Sequence, residues 1–176
     1  MNLFVFAKAV HEGSQRTAHV KKVPILNSLL KFHGNTTLVF FVATSCKYCA
    51  YEGLHVLPTL VKWAKVHKNN IVIVNASDTL GLGKSGLQPQ TGKDGPWTPN
   101  HDATKIAVEM EKWAQLYHLT PYVYVNPSLN LAKEYHITKI PSGIVLSSKG
   151  QFVAKWEGVF PASEIEKVAR LANGVN

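Results

Sequence analysis

The sequence contains very little cysteine: two residues among 176, Cys46 and Cys49. A scaffold held together by several disulfides is therefore excluded, because no other cysteine exists to form further bridges. The chain is long enough for one domain with its own apolar core, and its 45% hydrophobic and 17% charged residues are ordinary for a globular protein. The cysteine pair is therefore the first candidate for a chemical site.

Long apolar runs are also missing, and no stretch is long enough to cross a membrane. Ala7-Lys8-Ala9 resembles a signal-peptide cleavage site, but the apolar run before it is too short and no positively charged region precedes that run. From the residues alone, the protein is either cytosolic or the soluble portion of a protein whose targeting segment is absent from this sequence.

Acidic residues are few, 11 against 19 Lys and Arg, which gives a formal net charge of +8. The basic residues are scattered, Lys21-Lys22 is the only adjacent pair, and no basic run alternates with aromatic residues. This pattern does not favour nucleic acid as a partner. We interpret the charge as an aid to solubility and a source of weak electrostatic steering.

Both cysteines lie where the apolar pattern changes from that of a strand to that of a helix. Leu38 to Ala43 is an unbroken apolar run, typical of a strand buried on both faces of a sheet. After the cysteines, apolar residues recur at helical spacing, at Leu54, Leu57, Val61 and Ala64. The sequence therefore predicts a buried strand, a turn carrying the cysteines, and a helix that Pro58 should kink.

A helix N-terminus suits thiol chemistry, because its unpaired N–H groups and its positive dipole end stabilise a thiolate. The thiolate is the nucleophile of disulfide exchange. Cys46 is predicted to be the more exposed sulfur and to attack, and Cys49, one turn later, to resolve the mixed disulfide. The alternative is half of a zinc site, but no second cysteine pair exists, and the nearest histidine, His55, lies further along the same helix.

The rest of the chain alternates predicted strands and helices. Residues 77–102 carry five glycines and three prolines and predict a loop, either a surface insert or a flap that docks a partner. The other predicted elements are strands at Leu3–Phe6, Val20–Val23, Ile71–Val74, Pro121–Asn126, Ser142–Ser148 and Phe152–Glu157, and helices at Pro24–Phe32, Ile106–Tyr117, Leu129–His136 and Ser163–Leu171.

This order of elements resembles the thioredoxin superfamily, and most of all its TlpA/ResA-like branch of thiol-disulfide oxidoreductases. The resemblance covers roughly Thr36 to Ala172 and rests on the cysteine pair, Glu52 three residues later, an extra strand and helix between the two halves, and the segment LAKEYHITKIPSGIVLSSKGQFVAKWEG. It implies an α/β fold with a mixed central sheet, helices on both faces, and an inserted Gly/Pro-rich loop and helix. We expect one domain over residues 1–176, with an N-terminal extension at 1–35 and an insertion at 77–120.

The resemblance also implies roles for residues around the cysteines. Pro141 matches a proline that is cis in such proteins and packs beside the cysteine pair, so that Ile140 presents its backbone to a substrate peptide. Tyr48, between the two cysteines, is expected to contact the substrate. The implied partners are protein thiols or disulfides and a redox partner protein. The resemblance implies no cofactor or metal, and an extracytoplasmic location compatible with a membrane tether in a longer protein.

One departure from thioredoxin concerns a buried aspartate, whose place six residues before Cys46 is taken by Phe40. Glu52 is the candidate replacement, because it lies on the same helical face as Cys49 and helix side chains lean towards the N-terminus. We expect its negative charge to raise the pKa of Cys46 and its carboxylate to exchange a proton with Cys49. The alternative is a solvated surface glutamate.

Copper-binding metallochaperones of the same fold are an alternative, in which Cys46 and Cys49 serve as ligands. Those relatives use a wider cysteine spacing and a distant histidine. His136 is available here, but it does not occupy a position that can be matched. The sequence therefore favours thiol-disulfide exchange over metal transfer.

Overall fold

The strand that precedes the cysteines is the centre of the sheet. In the computed structural model, which describes residues 23–76 and 103–172, β1 (Thr37–Val42) pairs in parallel with β2 (Asn70–Asn75) and antiparallel with β4 (Ser142–Leu146). The sheet is completed by β3 (Val123–Tyr124) beside β2 and β5 (Phe152–Glu157) beside β4, in the order β3-β2-β1-β4-β5. The predicted mixed sheet, with the Leu38–Ala43 run in its middle, is confirmed.

Helices pack on both faces of this sheet, as predicted. The helical elements are α1 (Lys47–Tyr51), a π-helical turn (Glu52–Val56), α2 (Leu57–Val66), α3 (Ala103–Leu116), α4 (Asn130–Glu134) and α5 (Ile165–Ala172), with short 3-10 turns at Leu30–Phe32, Thr120–Tyr122 and Ala162–Glu164. The first three helical elements follow one another without a break, so that the cysteine segment opens a single helix of 20 residues.

Two apolar layers bury β1 from both sides, which explains why its sequence is continuously apolar. Leu38, Phe40 and Val42 pack into one layer with side chains of α2, α3 and α5. Val39 and Phe41 pack into the other layer with side chains of α4 and of the segment before β1. Full burial of each such side chain contributes about 1.5–3 kcal/mol, so β1 fixes the position of the turn that carries the cysteines.

The predicted kink at Pro58 takes the form of a widened turn. Residues Glu52–Val56 form a π-helical turn, and Pro58 lies in the first turn of α2. A proline inside a continuous helix has no N–H to donate and clashes with the preceding turn, and a π-helical turn is a common form of the resulting irregularity. The wider turn therefore accommodates Pro58 and sets the orientation of Glu52 and Gly53.

Two local predictions were wrong. The segment Pro24–Phe32 is not a helix, because Ile25 bridges Val125 in parallel and only Leu30–Phe32 forms a 3-10 turn. The backbone hydrogen bonds from Leu26 N to Val125 O (2.8 Å) and from Val125 N to Pro24 O (2.9 Å) outweigh the helical spacing of the side chains. The predicted strand at Pro121–Asn126 is shorter in the structure, because Thr120–Tyr122 forms a 3-10 turn, Val123–Tyr124 joins the sheet, and Val125 pairs with Ile25 instead.

Several predictions lie outside the described residues. These are the strand at Leu3–Phe6, all of the strand at Val20–Val23 except its last residue, and the Gly/Pro-rich loop at 77–102.

The helix within the predicted insertion is described, and the four residues predicted to line its inner face are buried: Ile106, Met110, Trp113 and Tyr117.

Candidate active site

Cys46 occupies the N-cap position of the helix that follows β1. Its backbone is extended (φ −90°, ψ 118°), and its Sγ accepts a hydrogen bond from the backbone N–H of Cys49 at 3.3 Å. A sulfur at this position replaces the side-chain oxygen that usually satisfies a free N–H of the first helical turn. The geometry therefore supports negative charge on Cys46.

The two thiols differ in exposure and in pKa. Cys46 is partly exposed, whereas Cys49 is completely buried. A hydrogen bond with the Cys49 side chain, together with the backbone N–H groups of Cys49 and Tyr48, outweighs burial and lowers the pKa of Cys46 to about 7. Burial and the neighbouring Cys46 raise the pKa of Cys49 well above its usual value. Cys46 is thus the sulfur that ionises first.

We expect an alkylating agent to modify Cys46 before Cys49 in the reduced protein. The rate at Cys46 should rise through a midpoint at about pH 7, since the thiolate is the reacting form. Iodoacetamide labelling followed by peptide mass spectrometry measures both sites. The unfolded protein is the control, in which the two cysteines should react at similar rates. Preferential modification of Cys49 in the folded protein would reverse the assignment.

Glu52 lies behind the cysteines and is fully buried, so the alternative of a surface glutamate is wrong. Its Oε1 accepts a hydrogen bond from the backbone N–H of Phe160 at 2.9 Å, and among the described residues Oε2 has no partner. Burial and, to a smaller extent, the negative charge of Cys46 outweigh the opposing hydrogen bond from the Phe160 N–H and raise the pKa of Glu52 to about 8. Glu52 is therefore mostly protonated at neutral pH, which corrects the expectation that it acts there as a negative charge.

Ile140 and Pro141 lie on the other side of Cys46. The peptide bond between them is cis, and the carbonyl oxygen of Ile140 is 4.0 Å from the Sγ of Cys46. Pro141 is buried and its carbonyl accepts the N–H of Gly158 at 2.8 Å. The start of β4 thus places a backbone carbonyl next to the more exposed sulfur, although 94 residues separate them in the sequence.

Tyr48 lies on the outer surface beside the cysteines, with 55% of its surface exposed. The Nζ of Lys47 is 4.9 Å from the centre of its ring. Such a ring offers apolar contact area and a hydroxyl group to a bound partner. The structure therefore brings together all six residues singled out from the sequence: Cys46, Tyr48, Cys49, Glu52, Ile140 and Pro141.

Two features of the site were missed in the sequence. Phe160 holds Glu52 through its backbone N–H, and no local pattern marks a residue 108 positions away. Gly53 allows close packing, because a Cβ atom there would lie 2.9 Å from ring atoms of both Trp113 and Tyr117. An isolated glycine within a helical pattern is a recognisable signal for such an approach. The two rings therefore pack directly against the turn that contains Glu52.

Metal binding has no obvious site in the described part of the chain. Within residues 23–76 and 103–172, no group of three or more His, Cys, Asp or Glu side chains is arranged to hold a metal ion.

Over the same ranges, no helix combines the length and the apolar character needed to span a bilayer.

Comparisons with known proteins identify the fold. No protein-family model and no curated protein matches the sequence. Among solved structures, the exposed lipoprotein thioredoxin Etrx1 of Streptococcus pneumoniae matches with 18% identity and a TM-score of 0.52, over 80% of this chain and 87% of that one. StoA of Bacillus subtilis matches with 21% identity and a TM-score of 0.50, over 77% and 83%.

A third match is the thioredoxin domain of a thiol-disulfide oxidoreductase from Bacteroides vulgatus, with 18% identity and a TM-score of 0.53, over 84% of this chain and 91% of that one. The chain therefore has a thioredoxin-like fold, and the resemblance stated from the sequence is confirmed at that level. Sequence identities this low establish only the fold. The activity is inferred from the geometry of the cysteine site.

Proposed function

We propose that this protein is a thiol-disulfide oxidoreductase that exchanges disulfides with protein substrates through Cys46 and Cys49. The observation that carries the proposal is the contrast between the two sulfurs. Cys46 is a partly exposed helix N-cap with a pKa of about 7, and Cys49 is a buried thiol one turn behind it. An accessible nucleophile backed by a protected second thiol is the arrangement that two-step exchange needs.

In the first step, the Cys46 thiolate attacks one sulfur of a substrate disulfide. The substrate S–S bond breaks, a mixed disulfide with Cys46 forms, and the other substrate sulfur leaves as a thiolate that takes up a proton. In the second step, Cys49 loses its proton and attacks the Sγ of Cys46, which releases the second substrate thiol. The substrate is reduced by two electrons and the Cys46–Cys49 pair is oxidised by two, and the reverse sequence oxidises a dithiol substrate.

Glu52 is proposed to receive the Cys49 proton in the second step. The negative charge of Cys46 raises the pKa of both Glu52 and Cys49. Formation of the mixed disulfide removes that charge, so both pKa values fall just when Cys49 has to ionise. A buried carboxylate whose pKa is close to the working pH is well suited to accept a proton at that stage.

The substrate is proposed to lie against Ile140, Pro141 and Tyr48. The Ile140 carbonyl is within 4.0 Å of the Cys46 sulfur, so an extended peptide bonded to Cys46 runs past this backbone group and can pair with it. Tyr48 offers an exposed ring on the helical side of the same sulfur. Protein thiols or disulfides and a redox partner protein are the proposed partners.

An extracytoplasmic location, with a membrane tether in a longer protein, is part of the proposal. It is supported by the name of one structural neighbour, an exposed lipoprotein thioredoxin. We also propose that residues 1–176 form one domain with an insertion at 77–120. The described part of that insertion supports this, because α3 packs into the same apolar layer as β1.

Turnover of a disulfide substrate tests the proposal. The reduced protein should reduce both a small neutral disulfide and a disulfide-bonded protein, forming its own Cys46–Cys49 disulfide in a one-to-one ratio with the substrate bond broken. The copper-binding alternative predicts instead a stable Cu(I) complex, detected by its ultraviolet thiolate absorbance, without turnover of either disulfide. A protein that binds Cu(I) and leaves both disulfides intact would rule out the oxidoreductase.

A further inference from the structure

One face of the cysteine helix points outwards along its whole length. We call this set of residues the outer ridge: Lys47, Tyr51, His55, Thr59, Lys62 and Val66, all of them exposed. Successive members are three or four residues apart, the spacing that places side chains on one side of a helix. The ridge begins directly beside Cys46 and runs for about 30 Å along the 20-residue helix.

The ridge and its flanks are basic and carry no acidic residue of their own. From residue 44 to residue 68 the chain contains lysines at 47, 62, 65 and 68, and its single acidic residue is the buried Glu52. No described residue forms an ion pair with these lysines, whereas Lys112 of α3 and Lys167 of α5 are each paired with a glutamate. Glu166 of α5 contacts this helix, where its Oε1 accepts a hydrogen bond from the Trp63 indole N–H at 3.0 Å.

The same surface exposes apolar and aromatic area close to Cys46. Tyr51 and Leu54 are 52% and 49% exposed, and Tyr48 beside them is 55% exposed. The rings of Tyr51 and His55 lie 4.7 Å apart, which holds the two side chains together on the surface. Exposed aromatic side chains that adjoin one another beside a reactive group are typical of a surface that binds another protein.

We propose that the outer ridge docks an acidic segment of the partner protein, adjacent in that protein to its reactive cysteine. This inference rests on the proposed function, because a partner bonded to Cys46 lies at the end of the ridge. Lysines that form no ion pair with any described residue attract acidic side chains and accelerate encounter, and the tyrosines add apolar contact. A membrane surface fits less well, because Lys, His and Thr interrupt the apolar residues and leave no continuous apolar stripe.

The test compares two synthetic peptide disulfides that differ only in whether glutamates or lysines flank the cysteine. At low salt we expect the reduced protein to exchange about tenfold faster with the acidic peptide, and this preference to disappear at high salt. The Lys62→Glu variant should lose most of the preference. Lys133→Glu, the same charge change on α4 on the opposite face of the sheet, should keep it. Equal rates for both peptides, or an equal loss in both variants, would overturn the proposal.

A small neutral disulfide separates this inference from the proposed function. If the wild-type protein and both variants reduce the small neutral disulfide but show no preference between the two peptides, the oxidoreductase proposal stands and the docking surface is overturned. If none turns it over, the oxidoreductase itself fails and the docking surface fails with it. Sedimentation with vesicles of anionic phospholipid is the last comparison. If the wild-type protein binds these vesicles, Lys62→Glu does not, and the wild-type protein shows no preference for the acidic peptide, the ridge binds a membrane and the proposal is overturned.

Discussion

Replacing Cys46 with serine is expected to abolish disulfide exchange, with a loss on the order of a thousandfold or more for removal of a nucleophile. Cys49→Ser should behave differently, because it leaves the attacking sulfur in place. Cys46 can then bond to the substrate, but no second thiol is available to release it. We therefore expect Cys49→Ser to accumulate a stable mixed disulfide with the substrate and to stop after a single step.

Mass spectrometry of the two variants after incubation with a disulfide-bonded protein measures this difference. Cys49→Ser should gain the mass of one substrate, linked through Cys46, and release it on addition of a reductant. Cys46→Ser is the matched control, since it retains one thiol of the pair, but the buried one. A trapped adduct in Cys46→Ser and none in Cys49→Ser would reverse the roles. Turnover by both variants would show that neither sulfur is required.

Features that are determined by the local spacing of apolar side chains could be predicted from the sequence. The apolar run Leu38–Ala43 predicts a strand buried on both faces, and it is the central strand. The helical spacing of Ile106, Met110 and Trp113 predicts the inner face of α3, where all three are buried. In each case the pattern reports directly which face of an element meets the core.

Features that depend on contacts between distant segments could not be predicted in this way. The segment Pro24–Phe32 has helical spacing, yet its pairing with Val125 determines its conformation. The protonation of Glu52 depends on how completely other elements enclose it, and on one backbone N–H from Phe160. Burial of this kind is a property of the folded chain, which explains why spacing alone suggested a charged carboxylate.

The Glu52→Gln variant is expected to slow the second step of exchange by about a hundredfold, because glutamine cannot accept the Cys49 proton. In the wild-type protein the rate of this step should rise with pH as Glu52 ionises, with a midpoint below the pKa of about 8 that Glu52 has beside the Cys46 thiolate, because the mixed disulfide removes that charge. In the variant this rise should be absent, leaving only the rise that accompanies ionisation of Cys49 at higher pH. The pKa of Cys46 should change little, since Cys46 ionises at about pH 7, when Glu52 is mostly neutral.

Rapid-mixing measurements of mixed-disulfide decay across the pH range, together with a thiolate titration by ultraviolet absorbance, distinguish these effects. An unchanged rate of the second step would show that Glu52 takes no proton from Cys49. A large fall in the pKa of Cys46 would show instead that Glu52 is charged at neutral pH. The matched control is Glu134→Gln on α4, which makes the same chemical change at an exposed position.

The same substitution should flatten the dependence of folding stability on pH. The pKa of Glu52 is about 8 in the folded protein and close to 4.5 when unfolded, so between these values the folded state binds more protons. The free energy of unfolding must then decrease as the pH rises through this window, by a total on the order of 5 kcal/mol for a shift of this size. Glutamine does not titrate, so this decrease should be missing from Glu52→Gln. Chemical denaturation of the two reduced proteins at both ends of the window measures the change in the free energy of unfolding. An equal change with pH in the wild-type protein and in Glu52→Gln would show that Glu52 is already ionised at neutral pH in the folded state.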